Sequence, residues 1–145
     1  MNFEYLPKSE LQLRSNYSSR IKKEANGFLS FEDFKNWYDS QDKTCHYCGL
    51  TERECQEIVV KGLLTSNRFP KNGKTGQGTS RGMWLEVDRK EPKGTYSNNN
   101  SVLCCYFCNN DKSDVFPAKE YKAFFQNRVE YLRGLLMTKT QNDNG

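Results

Sequence analysis

No apolar run in this chain of 145 residues approaches the roughly 18 to 20 residues required to cross a bilayer as a helix, so no membrane-spanning segment is expected. The opening residues, MNFEYLPKSE, carry neither the basic nor the apolar region of a secretory signal, and a cytoplasmic location is the expectation. A phosphate-binding P-loop is missing as well. Gly73-Lys74-Thr75 has the right triplet, but Arg68 stands where such a loop needs its first glycine, and no strand leads in. Histidine is reduced to His46, set between two cysteines; the role of metal ligand or base is open to it, and a solvent-facing position fits its place better. Nor is there a large excess of one charge: 22 basic against 18 acidic residues gives +4, which permits a polyanionic partner without requiring one.

What is present is concentrated. Between Lys61 and Lys90 the chain carries Lys61, Arg68, Lys71, Lys74, Arg81, Arg89 and Lys90 against Glu86 and Asp88, an asymmetry that favours nucleic acid. The six cysteines include the pairs Cys45-x-x-Cys48 and Cys105-x-x-Cys108, which in a reducing compartment read as metal ligands before disulfides. A CxxC turn brings two thiolates to one point, and two such turns supply the soft tetrahedral donors of a structural Zn2+ site closed to substrate. The pairs are far apart in the chain, so the metal would tie distant segments together. Cys104 is expected in the core, following the burial habit of free cysteine, and the pattern does not decide Cys55.

The length suits one domain of residues 1–145. Its expected parts are a helical N-terminal region over 1–43, a cysteine-bound core over 44–116 with a mobile basic loop at 67–82, a C-terminal helix over 117–138 and a disordered tail over 139–145. Ser9 with Gln12 resembles a capping box, and Leu11, Leu13, Tyr17 and Ile21 support a helix that stops near Asn26-Gly27. Ser30 opens a second helix in which Phe31, Phe34, Trp37 and Tyr38 recur at helical spacing, an aromatic face expected beneath the first cysteine pair. From Thr51 to Leu64 the pattern is weak. Met83 to Val87 and Ser101 to Leu103 read as strands joined by a turn-rich connection, with a helix from Tyr106. Beyond Pro117, the residues Tyr121, Phe124, Phe125, Arg128, Leu132, Leu135 and Leu136 follow helical spacing. The fold class is α+β.

Asp88 at the end of the first strand and Asn109 on the following helix offer oxygen donors suited to a hard ion such as Mg2+. The run VDR(x)6Y(x)3N(x)4CxxCNxxKS that holds them resembles the HNH nuclease family, the ββα-metal or His-Me fingers, in its variant with Asp-Arg in place of Asp-His. The likeness covers roughly residues 30 to 125. It implies a zinc-stapled ββα-metal core with flanking helices, acting as a DNA endonuclease that uses Mg2+ or Mn2+ and leaves a 3′-hydroxyl and a 5′-phosphate. Asp88 and Asn109 would hold the catalytic ion, and Asn100 would shape the connection through backbone hydrogen bonds. Arg89 stands where the usual pattern has a histidine base, and a guanidinium accepts no proton at neutral pH. Arg89 would instead grip the scissile phosphate, leaving Tyr96 to activate water once the metal and Arg89 stabilise its phenolate.

Arg68, Lys71, Lys74 and Arg81 of the loop, with Lys90 and Lys112, are the expected contacts to nucleic acid. For Lys112 a solvated position is an equal expectation. One active site per chain cuts one strand, so cleavage of double-stranded DNA implies a homodimer whose symmetry matches a palindromic site. The sequence leaves open whether the setting is restriction, homing or phage DNA processing; a bacterial or phage-infected cell is the expectation. Two other readings stand beside it. One is a catalytically silent zinc-stabilised module that binds nucleic acid through the same loop, favoured by the missing histidine; the other is a zinc-stabilised protein-interaction domain.

Overall fold

A computed structural model of the chain describes residues 3–22, 26–70, 81–113, 117–125 and 128–143. Helix α1 (Glu10–Asn16) starts at Ser9, whose hydroxyl accepts the Gln12 amide (3.2 Å) while the Gln12 side chain accepts the Ser9 amide (2.8 Å). Two donors that a helix start leaves unpaired are thereby satisfied reciprocally. The helix runs on into a π-helical turn (Tyr17–Ile21). Leu13, Tyr17 and Ile21 point inward, whereas Leu11, expected on the same face, is exposed; it lies about 200° round the helix from Leu13. Helix α2 (Phe31–Ser40) is capped by the Ser30 hydroxyl, which accepts the Asp33 amide at 3.2 Å. Its inward Phe34 sits among Tyr17, Phe28 and Trp37, with ring centroids 5.5 to 6.0 Å away.

The segment from Thr51 to Leu64, without a clear period in the sequence, contains helix α3 (Glu52–Val60). Thr51 and Glu54 form a second capping box, with bonds of 3.1 Å and 3.0 Å. The inward face of α3 carries Cys55, Ile58 and Val59, but also Glu52 and Gln56. These two are buried because backbone groups need them: Glu52 accepts the Leu85 amide (2.8 Å) and the Tyr5 hydroxyl, and Gln56 exchanges both its amide bonds with Leu6 (2.6 and 3.0 Å). The Trp84 indole completes the clasp by donating to the Leu6 carbonyl at 2.8 Å.

Strand β1 (Glu86–Arg89) pairs antiparallel with β2 (Ser101–Cys104), Glu86 opposite Cys104 and Arg89 opposite Ser101. The first strand therefore lies later than the expected 83–87. Met83 and Trp84 pack with Val59, Phe69 and Tyr106 in a small second apolar cluster instead of extending the ladder. Alternation puts Glu86, Asp88, Val102 and Cys104 on one face, and Val87, Arg89, Ser101 and Leu103 on the other. Helix α4 (Tyr106–Lys112) lies against the first face.

The single C-terminal helix expected over 117–138 is two, α5 (Ala118–Phe125) and α6 (Arg128–Asp143). The second continues into the stretch expected as a tail, where no proline or glycine interrupts the chain between Leu135 and Asp143. Tyr121 and Leu132 are buried in the main core. Arg133 pins α6 to α3 by gripping both carboxylate oxygens of Glu54 (2.8 and 3.1 Å) and the Gly49 carbonyl (3.0 Å). Gly49 itself has φ +84°, the left-handed turn that closes the first cysteine pair and that side chains disfavour. Among the described residues no helix is long and apolar enough to cross a membrane.

Candidate active site

The first cysteine pair is held by its own backbone: the Cys45 amide donates to the Leu50 carbonyl (2.8 Å) and the Gly49 amide to the Cys45 carbonyl (3.0 Å). The His46 amide donates to the Leu103 carbonyl (2.8 Å), which docks the turn on β2. Cys105 caps α4, its sulfur accepting the Cys108 amide at 3.4 Å. The Sγ atoms of Cys45, Cys48, Cys105 and Cys108 all lie within 4.8 Å of one another and are buried, those of Cys48 and Cys105 being 3.9 Å apart. Sulfurs about 2.3 Å from a tetrahedral zinc sit about 3.8 Å from each other, so this set has the size and softness of a structural zinc site. A hydrogen bond with Cys105, above all, holds the Cys45 thiol below its usual range, while that with Cys108 leads the causes that push Cys105 up. Thiols sharing one buried volume do not all ionise without a cation among them.

Cys55 is buried on α3 and within hydrogen-bonding reach of Cys105, outside the four. Cys104 is buried in the core. His46 is half-buried, its ring edge-on to Tyr47 at 5.2 Å, and takes no place in the cluster.

Asp88 is buried on the face of the hairpin that α4 covers. Its Oδ2 accepts the Tyr47 hydroxyl and forms an ion pair with Lys112 Nζ at 3.0 Å. Burial, then the hydrogen bond to Asp88, pushes the Tyr47 phenol far above its usual range, so it remains a donor. Lys112 is the correction to the expected phosphate contacts. It is fully buried, with its ammonium bound to Asp88 and to the Arg89 carbonyl (3.2 Å), and it reaches neither a phosphate nor solvent. A turn earlier on α4, Asn109 is also buried and donates from Nδ2 to Glu86 Oε1 at 2.7 Å. Among the described residues no hydrogen bond reaches Asp88 Oδ1 or Asn109 Oδ1. These two oxygens, on the neighbouring elements β1 and α4 and without a hydrogen-bond partner among the described residues, are of the kind that a hard divalent ion keeping several waters takes.

Arg89 points to the opposite face of β1. Its guanidinium lies over the Tyr96 ring, 5.0 Å from the centroid, and donates to the Gly94 carbonyl at 3.2 Å. The Tyr96 ring is buried, with its backbone bridged to Asn26 and its carbonyl accepting the Gly27 amide at 2.7 Å. Among the described residues Ser101 Oγ alone is a buried side-chain polar atom without a partner, so the Tyr96 hydroxyl, to which no bond is made, is not sealed from solvent. Asn100 ties the connection together: its side chain accepts the Glu91 amide (2.9 Å) and donates to the carbonyls of Glu91 (3.2 Å) and Thr95 (3.0 Å).

The expected nucleic-acid contacts separate. Arg68 and Arg81 meet at Tyr106: Arg68 donates to its hydroxyl (3.1 Å) and to Asn110 (3.3 Å), and Arg81 lies over its ring at 5.0 Å. Arg81 also grips Glu86 through two bonds (2.8 and 3.1 Å), which links the loop to Asn109. Lys90 is half-buried and held through its backbone to Asn100 and Ala118. Lys71 and Lys74 lie outside the described residues. Tyr47 and Glu86 are the site residues that sequence reading passed over. Glu86 shares the face of Asp88 by strand alternation, a usable signal, whereas nothing in CHYC marks Tyr47 as more than a spacer.

Two short antiparallel strands, a helix across one face and a four-cysteine cluster at their junction define the HNH, or ββα-metal, class of fold. No protein-family model matches the chain, and no curated protein does. Among solved structures it is similar to the rare-cutting HNH restriction endonuclease PacI, with 27% identity, 92% of each chain covered and a TM-score of 0.63. The chain has an HNH fold of the PacI kind.

Proposed function

We propose that this protein is a divalent-metal-dependent endonuclease of the HNH type that hydrolyses phosphodiester bonds in DNA. The observation that carries this reading is that Asp88 on β1 and Asn109 on α4 both lie where the helix meets the strand, while the next residue of β1, Arg89, lies over the Tyr96 ring on the opposite face. Similarity to an HNH restriction endonuclease supports a DNA nuclease.

When bound, Mg2+ or Mn2+ supplies positive charge at the phosphoryl oxygen and the leaving alkoxide. Asp88 and Asn109 are the residues that would hold it, through side-chain oxygens. Arg89 offers the scissile phosphate a permanent charge, and its contact with Gly94 leaves other guanidinium N–H groups for that anion. Tyr96, whose ring lies under that guanidinium, stands in the place of the base that takes the proton of the attacking water. Attack on phosphorus forms the new P–O bond and breaks P–O3′; the leaving 3′-oxygen takes a proton from solvent water, giving a 3′-hydroxyl and a 5′-phosphate. Asn100 keeps Arg89 and Tyr96 in register by holding the backbone between them. Arg68, Arg81 and Lys90, with Lys71 and Lys74, contact the DNA backbone, and zinc on the four cysteines fixes the scaffold. Cleavage of both strands at a palindromic site requires two copies, hence a homodimer working in the cytoplasm.

The test is plasmid nicking with Mg2+ or Mn2+ by the native chain, Asp88→Asn and Tyr96→Phe. Native activity should fall by about 100-fold or more in each variant. A native chain that binds DNA in a salt-dependent way and never cuts it would select the silent nucleic-acid-binding module, the reading that Arg89 in place of a histidine favours. Undiminished cutting by Tyr96→Phe would remove the base assignment alone.

A further inference from the structure

Tyr47 and Lys112 belong to no step of the proposed reaction, yet both end on the same atom, Asp88 Oδ2. Tyr47 lies between Cys45 and Cys48, so the backbone bonds that close the cysteine turn also aim its hydroxyl. Its ring is 2% exposed and fixed edge-on against Tyr121 at 5.1 Å. Lys112 follows Cys108 by one helical turn, with the side chain 1% exposed, and its ammonium is held at once by Asp88 and by the Arg89 carbonyl (3.0 and 3.2 Å). Both halves of the cysteine cluster therefore send one donor to Asp88.

We infer that Tyr47 and Lys112 are positioning residues that turn Asp88 Oδ1 toward the catalytic ion, and that the four-cysteine site sets the ion's affinity through them. This rests on the nuclease reading, because it presumes a divalent ion at Asp88. The two donors act with opposite electrostatic sign. Tyr47 holds the carboxylate rotamer with a neutral hydrogen bond and leaves its charge intact. Lys112 holds the same oxygen but places an ammonium beside a site that must accept a divalent cation. That repulsion in a buried site outweighs the one hydrogen bond by which Lys112 helps. Affinity is thus moderated by design of the pair, with Lys112 neutralising Asp88 whenever the ion is absent.

The experiment is Mn2+ titration of the zinc-loaded full chain without DNA, with free Mn2+ read by electron paramagnetic resonance and zinc content measured on the same samples. Tyr47→Phe should weaken Mn2+ binding about fivefold, and Lys112→Met should tighten it about tenfold. A residue that merely supports the fold would weaken binding in both. Binding by Tyr47→Phe within twofold of native, or binding by Lys112→Met that is unchanged or weaker, overturns the inference. If Tyr47→Phe fails to retain zinc, the sign of the Lys112→Met change decides. Asp88→Asn separates the two levels: Mn2+ binding that survives in it refutes the ion site and the inference together, whereas its loss with unaltered Tyr47→Phe and Lys112→Met refutes the inference alone.

Discussion

Breaking the Asp88–Lys112 pair should expose how strongly the strand and helix of the core depend on one buried contact. The charges are 3.0 Å apart, with the side chains 10% and 1% exposed, respectively. At that distance and an effective dielectric of about 20 the attraction is about 5 kcal/mol. Lys112→Met removes it but leaves Asp88 the Tyr47 donor and slight access to water, so the net loss of stability should be about 3 kcal/mol, at the lower edge for a severed buried pair. Asp88→Asn strands the ammonium instead, with the Arg89 carbonyl as its remaining acceptor, and should destabilise by a similar amount. The double variant buries neither charge. Urea denaturation of the zinc-loaded proteins in buffer without divalent catalytic ions gives the cycle, and a coupling of about 2 to 3 kcal/mol is expected. Additivity within about 0.5 kcal/mol would refute the reasoning, since it would mean that the two side chains do not share their burial cost. Added Mn2+ should restore part of the stability of Lys112→Met by mass action on the folded state.

Cys108→Ser should lose stoichiometric zinc and unfold at a lower temperature, as metal analysis and thermal denaturation would report; retained zinc would contradict the four-cysteine donor set. Gly27→Ala should destabilise by about 1 to 3 kcal/mol and slow plasmid nicking as well, because the added methyl would meet the Tyr96 carbonyl at 2.8 Å and Thr95 Oγ1 at 2.7 Å beside the Tyr96 ring. Normal stability and nicking by that variant would show that the crossing of the N-terminal segment does not position Tyr96.

Local chemistry was legible in the sequence wherever one residue satisfies its neighbours. Ser9 with Gln12 and Ser30 with Asp33 are caps closed within three residues, and both helices begin where those residues stand. The paired CxxC turns name their own partners through softness and number, and the four sulfurs converge. Helix α3 was obscured by its distant partners. Glu52 and Gln56 count as polar in any periodicity, yet they face inward because Leu85, Tyr5 and Leu6 complete their bonds. Lys112 misleads for the same reason: a lysine beside Asn-Asn-Asp looks solvated until strand pairing brings Asp88 beneath it. The start of β1 depended on whether Met83 and Trp84 joined the ladder or the second apolar cluster, a competition between faces that strand propensity does not rank.

The distance along the chain between the two cysteine turns has a consequence for how the protein comes into being. Cys48 and Cys105 are 57 residues apart, and closing a loop of that length opposes folding by about 3.5 kcal/mol of chain entropy. At roughly 5 to 20 residues per second of synthesis, the second pair leaves the ribosome about 3 to 11 s after the first. For that interval Cys45 and Cys48 lack the other two sulfurs of their cluster, and for most of it Tyr47 has no Asp88 to bind. Metal capture therefore waits on the second pair, and the nascent chain carries an open pair of thiols until Cys105 and Cys108 emerge.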